Sequence, residues 1–147
     1  KMIDEQNLAS MEFSQNYIFF YDQLEKCNLF LQAVIDTKAA MGDKPVITVI
    51  STGKPFVPEF EPYSDAILVS FGCQNQALLD LISGAVEPSA LLPMQLPVDM
   101  KTVELQMEDV PFDMECYVDA DGNVYDFAYG LNWSGRINDA RVQKYSK

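Results

Sequence analysis

The chain contains no histidine. From its own residues it therefore cannot build Ser-His-Asp or Cys-His nucleophilic catalysis, an imidazole metal centre, or a side chain that switches charge near neutral pH. Basic residues are scarce too: ten Lys and Arg stand against 22 Asp and Glu, a formal net charge of -12. Phosphate backbones and anionic bilayers are held by clustered cations, so neither nucleic acid nor membrane is an expected partner. An acidic surface suits solubility and ligands that are neutral or cationic. No apolar run approaches the roughly 18 residues of a membrane-spanning helix. The cluster Tyr17-Ile-Phe-Phe-Tyr21 is far shorter. No basic stretch followed by an apolar one opens the sequence, so a secretory signal is not expected. Cys27, Cys73 and Cys116 are too widely spaced for a zinc motif, and an odd count does not suit a disulfide framework. Buried free thiols are the expectation, which favours a reducing, cytoplasmic setting. No cofactor or metal is expected.

What is present is a chain of 147 residues, 48% hydrophobic, enough for one domain with its own core. Asn16 to Tyr21 is rich in aromatic and β-branched residues and reads as a strand. Leu29, Leu31, Ala33, Val34, Ile35, Ala39 and Ala40 predict a helix ending at Met41, with Gly42 at its C-terminal cap. Val46 to Ile50, between Pro45 and Gly53, reads as a strand buried on both faces, as in parallel sheets, and Ala66 to Phe71 as a second. Pro55, Pro58 and Pro62 limit any helix between them to a turn or two. Gln76 to Ile82 predicts a short helix with Ala77, Leu78, Leu81 and Ile82 as its apolar face, stopped by Gly84. This alternation predicts an α/β fold, a three-layer sandwich around a mostly parallel sheet.

Proline at 88, 93, 97 and 111 predicts an extended, wrapping segment with a turn or two of helix over Met100 to Met107. Glu115 to Phe127 reads as a β-hairpin turning at Asp121-Gly122. Asn138 to Lys147 is polar, a short helix or a tail.

Six short stretches, taken in order, carry a resemblance: Lys44-Pro-Val46, Gly53-Lys-Pro55, Asp65-Ala-Ile-Leu68, Phe71-Gly-Cys-Gln74, Pro88-Ser-Ala-Leu-Leu-Pro93 and Phe127-Ala-Tyr-Gly-Leu131. Their order and spacing resemble the second, α/β-sandwich domain of family 3 glycoside hydrolases, the β-glucosidase and β-xylosidase family. The resemblance covers residues 29–137, leaving 1–28 unmatched and 138–147 as a polar tail. It implies a carbohydrate substrate and a (β/α)8 barrel partner that carries the nucleophile. One departure is Ala90, where the family often has glycine; a negative φ is expected there. No carboxylate among Glu5, Glu12 and Glu25 sits in a recognisable motif, so none is assigned the acid/base role and no catalytic residue is named.

Retaining glycoside hydrolysis needs two carboxyl groups about 5–5.5 Å apart. With the nucleophile on the barrel, the chain alone is not expected to turn over glycosides. The loop Gly72-Cys-Gln-Asn-Gln76 follows a parallel strand at its carboxyl end, where ligands bind in open α/β sheets. Gln74 and Asn75 offer amide donors and acceptors that suit sugar hydroxyls, and are the candidate substrate-binding residues; the alternative is a plain helix start capped by Asn75. Asp119-Ala-Asp-Gly-Asn123 invites a calcium reading, but an EF-hand acid is missing at the twelfth position, Gly130, and a hairpin turn explains the same residues. Trp133, with Tyr125, Phe127 and Tyr129, either forms a stacking platform or closes a core.

The expected function is that of an accessory domain packing on a catalytic barrel and walling its sugar site. The alternatives are a self-standing saccharide-binding or small-ligand module, and a subunit completing a separate barrel. An exposed docking face predicts homo-oligomers.

Overall fold

The computed structural model describes residues 29–107 and 109–145. The expected strand at Asn16–Tyr21, and Glu5, Glu12 and Glu25, lie outside the described residues. The described chain is mixed α/β, as expected, with a parallel sheet of two strands.

Residues 29–41 are helical (α1). The helix ends where Gly42 takes φ +59 and its N–H donates to the Lys38 carbonyl at 3.1 Å, a turn that a Cβ would strain. Of the expected apolar face, Val34 is the buried residue, at 8% exposure. α1 is held to the rest by an edge-to-face contact of Phe30 with Phe60, centroids 5.5 Å apart, and by Lys38.

β1 (Ile47–Ser51) and β2 (Ala66–Ser70) pair in parallel, in register from Ile47↔Ala66 to Ser51↔Ser70. The sequence pattern places both strands within a residue of their observed bounds. Their connection holds one 3-10 turn, Glu61–Tyr63, and a fully buried Pro58. Asp65 joins the strand starts: its N–H donates to the Val46 carbonyl at 2.8 Å, and its Oδ2 accepts from Val46 N–H at 2.7 Å.

Burial on both strand faces does not hold. Thr48 is buried and bonded to Ser64 Oγ at 2.6 Å, whereas Ile47 and Val49 are 40% and 37% exposed. One face of β1 packs inward and the other is left uncovered by the described residues. A continuous apolar run reports hydrophobicity on both faces, not what covers them.

α2 (Asn75–Ile82) ends at Ser83, followed by Gly84 at φ +76. Leu78 and Leu81 are half-buried, while Ala77 and Ile82, from the same expected face, are exposed. The proline-rich segment is extended as expected, but it runs through the core. Leu96 and Pro97 are fully or nearly fully buried. The segment is bonded on both sides. Leu92 N–H donates to the Tyr129 carbonyl at 2.7 Å and Leu96 N–H to that of Tyr125 at 3.0 Å; Tyr117 N–H donates to the Leu96 carbonyl at 2.9 Å. Proline lacks an N–H, so Pro93 and Pro97 sit where the pairing does not need one. Leu96, Met114, Ala128, Tyr129 and Ile137 form this second core.

α3 (Met100–Leu105) is capped by Asp99, whose Oδ1 accepts from Thr102 N–H at 2.7 Å. The hairpin expected over 115–127 is reduced to the antiparallel bridge Val118↔Val124. Its turn is closed by Asp119, which accepts from the N–H groups of Asp121 and Asn123 and from the Asn123 amide. A hairpin the pattern did not announce joins β3 (Leu131–Asn132) to β4 (Gly135–Arg136), with Trp133-Ser134 at its tip. α4 (Ala140–Tyr145) resolves the tail as a helix, tied back by Arg141, which donates to the Ser89 carbonyl at 2.8 Å. Ala90 has a negative φ, as expected: the described non-glycine residues with positive φ are Phe112 and Ala128.

Candidate functional site

Because β1 and β2 run parallel with Ser51 opposite Ser70, their carboxyl ends lie on one edge. Thr52 leaves β1 there, and its N–H donates to the Ser70 carbonyl at 3.0 Å. Ser70 is the organiser of the loop that follows. It is buried, and its Oγ accepts from the N–H groups of Gly72 and Cys73, both at 3.3 Å. With its lone pairs so engaged, its proton is free to face Cys73 Sγ, 3.1 Å away. Gly72 at φ +97 reverses the chain and leads it into α2. Ser70, two residues before Gly72, carries no amide and is not among the candidates the sequence offers; what singles it out is the pair of backbone N–H groups folded back onto it.

The two candidate residues stand on this edge. Gln74 is the N-cap of α2, with extended backbone and no side-chain capping bond. Asn75 is the first residue of the helix rather than its cap, which corrects the capping alternative. Both side chains are exposed and make no hydrogen bond to another described residue. Cys73 is exposed and Cys116 only half-buried, so neither described cysteine is the deeply buried thiol expected. Two exposed amides at the strand-helix junction can donate to and accept from hydroxyls of a small polar ligand.

The aromatic group divides. Tyr125 stacks on Tyr129 with centroids 5.2 Å apart, and Tyr129 is 7% exposed beneath the Arg136 guanidinium, 5.7 Å from its ring. Those rings close a core, while Trp133 is 63% exposed at its hairpin tip. Burial pushes both tyrosine hydroxyls up, Tyr125 furthest.

Three described carboxyl groups are held below their ordinary range. A hydrogen bond from Lys38, then one from Val46 N–H, lowers Asp65; bonds from Thr102 lower Asp99; Arg141 lowers Asp139. A glycosidase acid needs the opposite shift, so these three are built to stay ionised.

Two sequence relationships accompany this geometry. Residues 1–54 match the Peptidase C1-like family. Human bleomycin hydrolase is 52% identical over 31 residues, 21% of this chain and 7% of that protein. Probable beta-glucosidase C of Aspergillus flavus is 37% identical over 91 residues, 61% of this chain and 13% of that protein. Beta-glucosidase C of Emericella nidulans is 37% identical over 90 residues, 60% of this chain and 14% of that protein. The resemblance to β-glucosidases read from the sequence is thus borne out, and the chain spans about 13% of the length of such relatives. The peptidase match takes in all of 1–28 and runs on through α1 and β1. Thiol-peptidase chemistry pairs a cysteine with a histidine, and the chain has no histidine to offer Cys27. No solved structure matches the chain.

Proposed function

We propose that this chain is an accessory segment of a β-glucosidase-like family 3 glycoside hydrolase, which packs on a catalytic (β/α)8 barrel, helps wall its sugar site and does not hydrolyse glycosides alone. The observation that carries this reading is the 37% identity to β-glucosidases over 91 residues. The uncovered face of β1 supports it. A parallel strand is normally covered on both faces, and the exposed Ile47 and Val49 are the residues a further layer would cover. In that setting the two-stranded sheet is the nucleus of a three-layer sandwich, and Gln74 and Asn75 reach the sugar from the carboxyl edge.

The test is an aryl β-glucoside assay on the chain alone and mixed with a family 3 barrel. Release of the aryl group is expected only from the mixture, and Ile47→Lys with Val49→Lys is expected to abolish it. Turnover by the chain alone, or a mixture indifferent to both lysines, overturns the proposal. The same two substitutions test self-association: light scattering is expected to show a dimer that the lysines convert to monomer.

A second reading, a self-standing saccharide-binding module, is favoured by a cleft remote in sequence from Gln74 and Asn75.

A further inference from the structure

Near Met107 and Asp113 the chain closes on itself. Val110 N–H donates to the Met107 carbonyl at 3.2 Å, and Met107 N–H donates to Asp113 Oδ2 at 2.8 Å. Inside this closure Phe112 takes φ +61, a left-handed conformation that a bulky side chain rarely adopts. Its ring meets that of Phe127 edge to face, centroids 6.3 Å apart. Phe127 is held from another side by Tyr145 at 6.0 Å, and the next residue, Ala128, is the other left-handed non-glycine position. Strained backbone at two positions beside one feature is more than packing requires, and such strain collects at binding sites.

The feature is an open cleft of about 380 Å³, with Phe112, Phe127, Gln95, Gln106 and Asp109 among its lining residues. That volume is within the range of small-molecule sites. Gln95 donates through Nε2 to Asp126 Oδ1 at 2.7 Å and to Cys116 Sγ at 3.2 Å, which fixes the amide and leaves its carbonyl oxygen as an acceptor. The side chains of Gln106 and Asp109 make no hydrogen bond to another described residue. The cleft therefore presents aromatic surface, three acceptor groups and one amide donor, with no basic side chain in its lining.

We propose that this cleft is a binding subsite for a single pyranose-sized polyol, whose C–H face lies against Phe112 and Phe127 while its hydroxyls donate to Gln95, Gln106 and Asp109. A hydroxyl-rich ring supplies what the cleft lacks, several donors on an otherwise apolar skeleton. An anion is disfavoured by Asp109, and a purely apolar ligand would strip water from three polar groups without repaying it. The open walls make the binding weak, with a dissociation constant on the order of millimolar. The choice of a sugar rests on the carbohydrate reading above; the cleft's chemistry does not.

The experiment is a nuclear magnetic resonance titration of the whole chain with methyl β-D-glucopyranoside, read at the side-chain amides. Saturable shifts are expected at Gln95 and Gln106. Phe112→Gly removes the ring while keeping a residue that tolerates φ +61, and Gln106→Ala truncates an exposed side chain; each is expected to weaken binding about tenfold. Shifts confined to Gln74 and Asn75 would overturn this subsite while supporting the sheet edge. Still amides at Gln95 and Gln106, or wild-type affinity in both variants, would overturn it. A parallel titration with agmatine separates a cation site: saturation by agmatine and not by the glucoside would also overturn it.

Discussion

Lys38 Nζ lies 2.6 Å from Asp65 Oδ2, and the same oxygen accepts from Val46 N–H at 2.7 Å. One carboxylate thus ties α1 to the residues that lead directly into both strands. Lys38 falls inside the stretch that matches a peptidase family and Asp65 outside it, so the bond ties that stretch to residues beyond it. Lys38, then the Val46 N–H, holds the Asp65 carboxyl below its ordinary value of 3.8. A depressed carboxyl stabilises the fold above its unfolded pKa, and that contribution is lost as pH falls through the folded value. Asp65→Asn is expected to lower the melting temperature at neutral pH, and the gap from wild type is expected to close as pH falls below 4 or so. Thermal melts across acid pH check this; a gap independent of pH would contradict it.

Alkali is expected to act on the tyrosine cluster. Burial, followed by a hydrogen bond to Glu61 Oε2 at 2.9 Å, raises the Tyr117 hydroxyl from 10.0 to about 12. A raised acid keeps its proton longer in the folded state, so stability falls as pH climbs from 10.0 to about 12. Tyr117→Phe is expected to flatten that decline, at a cost of about 1 kcal/mol at neutral pH from the lost bond. Denaturant melts between neutral and strongly alkaline pH measure both.

Tyr129 poses the opposite case. Its hydroxyl is buried and makes no hydrogen bond to a described residue. An unsatisfied buried hydroxyl costs about 1–3 kcal/mol, so Tyr129→Phe keeps the stacked ring and is expected to stabilise the chain by about 1 kcal/mol. Urea unfolding that shows a loss of that size would reveal a partner for the hydroxyl.

Gly130 is glycine for lack of room, not for its φ. A Cβ built there would collide with the Ala90 carbonyl oxygen and sit 3.0 Å from Leu91 Cδ2. Gly130→Ala is expected to cost about 1–3 kcal/mol by overpacking. Wild-type stability in that variant would mean the Ala90 segment yields freely.

Much of the architecture was legible because it is encoded locally. Gly42 announced the end of α1, and the apolar runs flanked by Pro45, Gly53 and Gly72 announced β1 and β2. The candidate site was half legible. A loop at the carboxyl end of a strand follows from order along the chain, and Gln74 and Asn75 stand there. Ser70 was not legible, because its part depends on which backbone N–H groups fold back onto it. The cleft between Phe112 and Phe127 was not legible either, because it joins residues 15 positions apart through a left-handed turn that phenylalanine does not advertise.

By itself the sequence settled the parallel pairing of two apolar strands, the β-glucosidase kinship and, through the missing histidine, the chemistries the chain cannot perform alone. Composition and local periodicity carry such facts, since each depends on residues close together or on a residue type being absent. Only the tertiary structure decided that Ile47 and Val49 stay uncovered by the described residues, that the stretch through Leu96 and Pro97 threads a second core, and that Asp65 binds Lys38 from 27 residues away. Burial and partnership are properties of what else lies near, and that is set by chain closure over long separations.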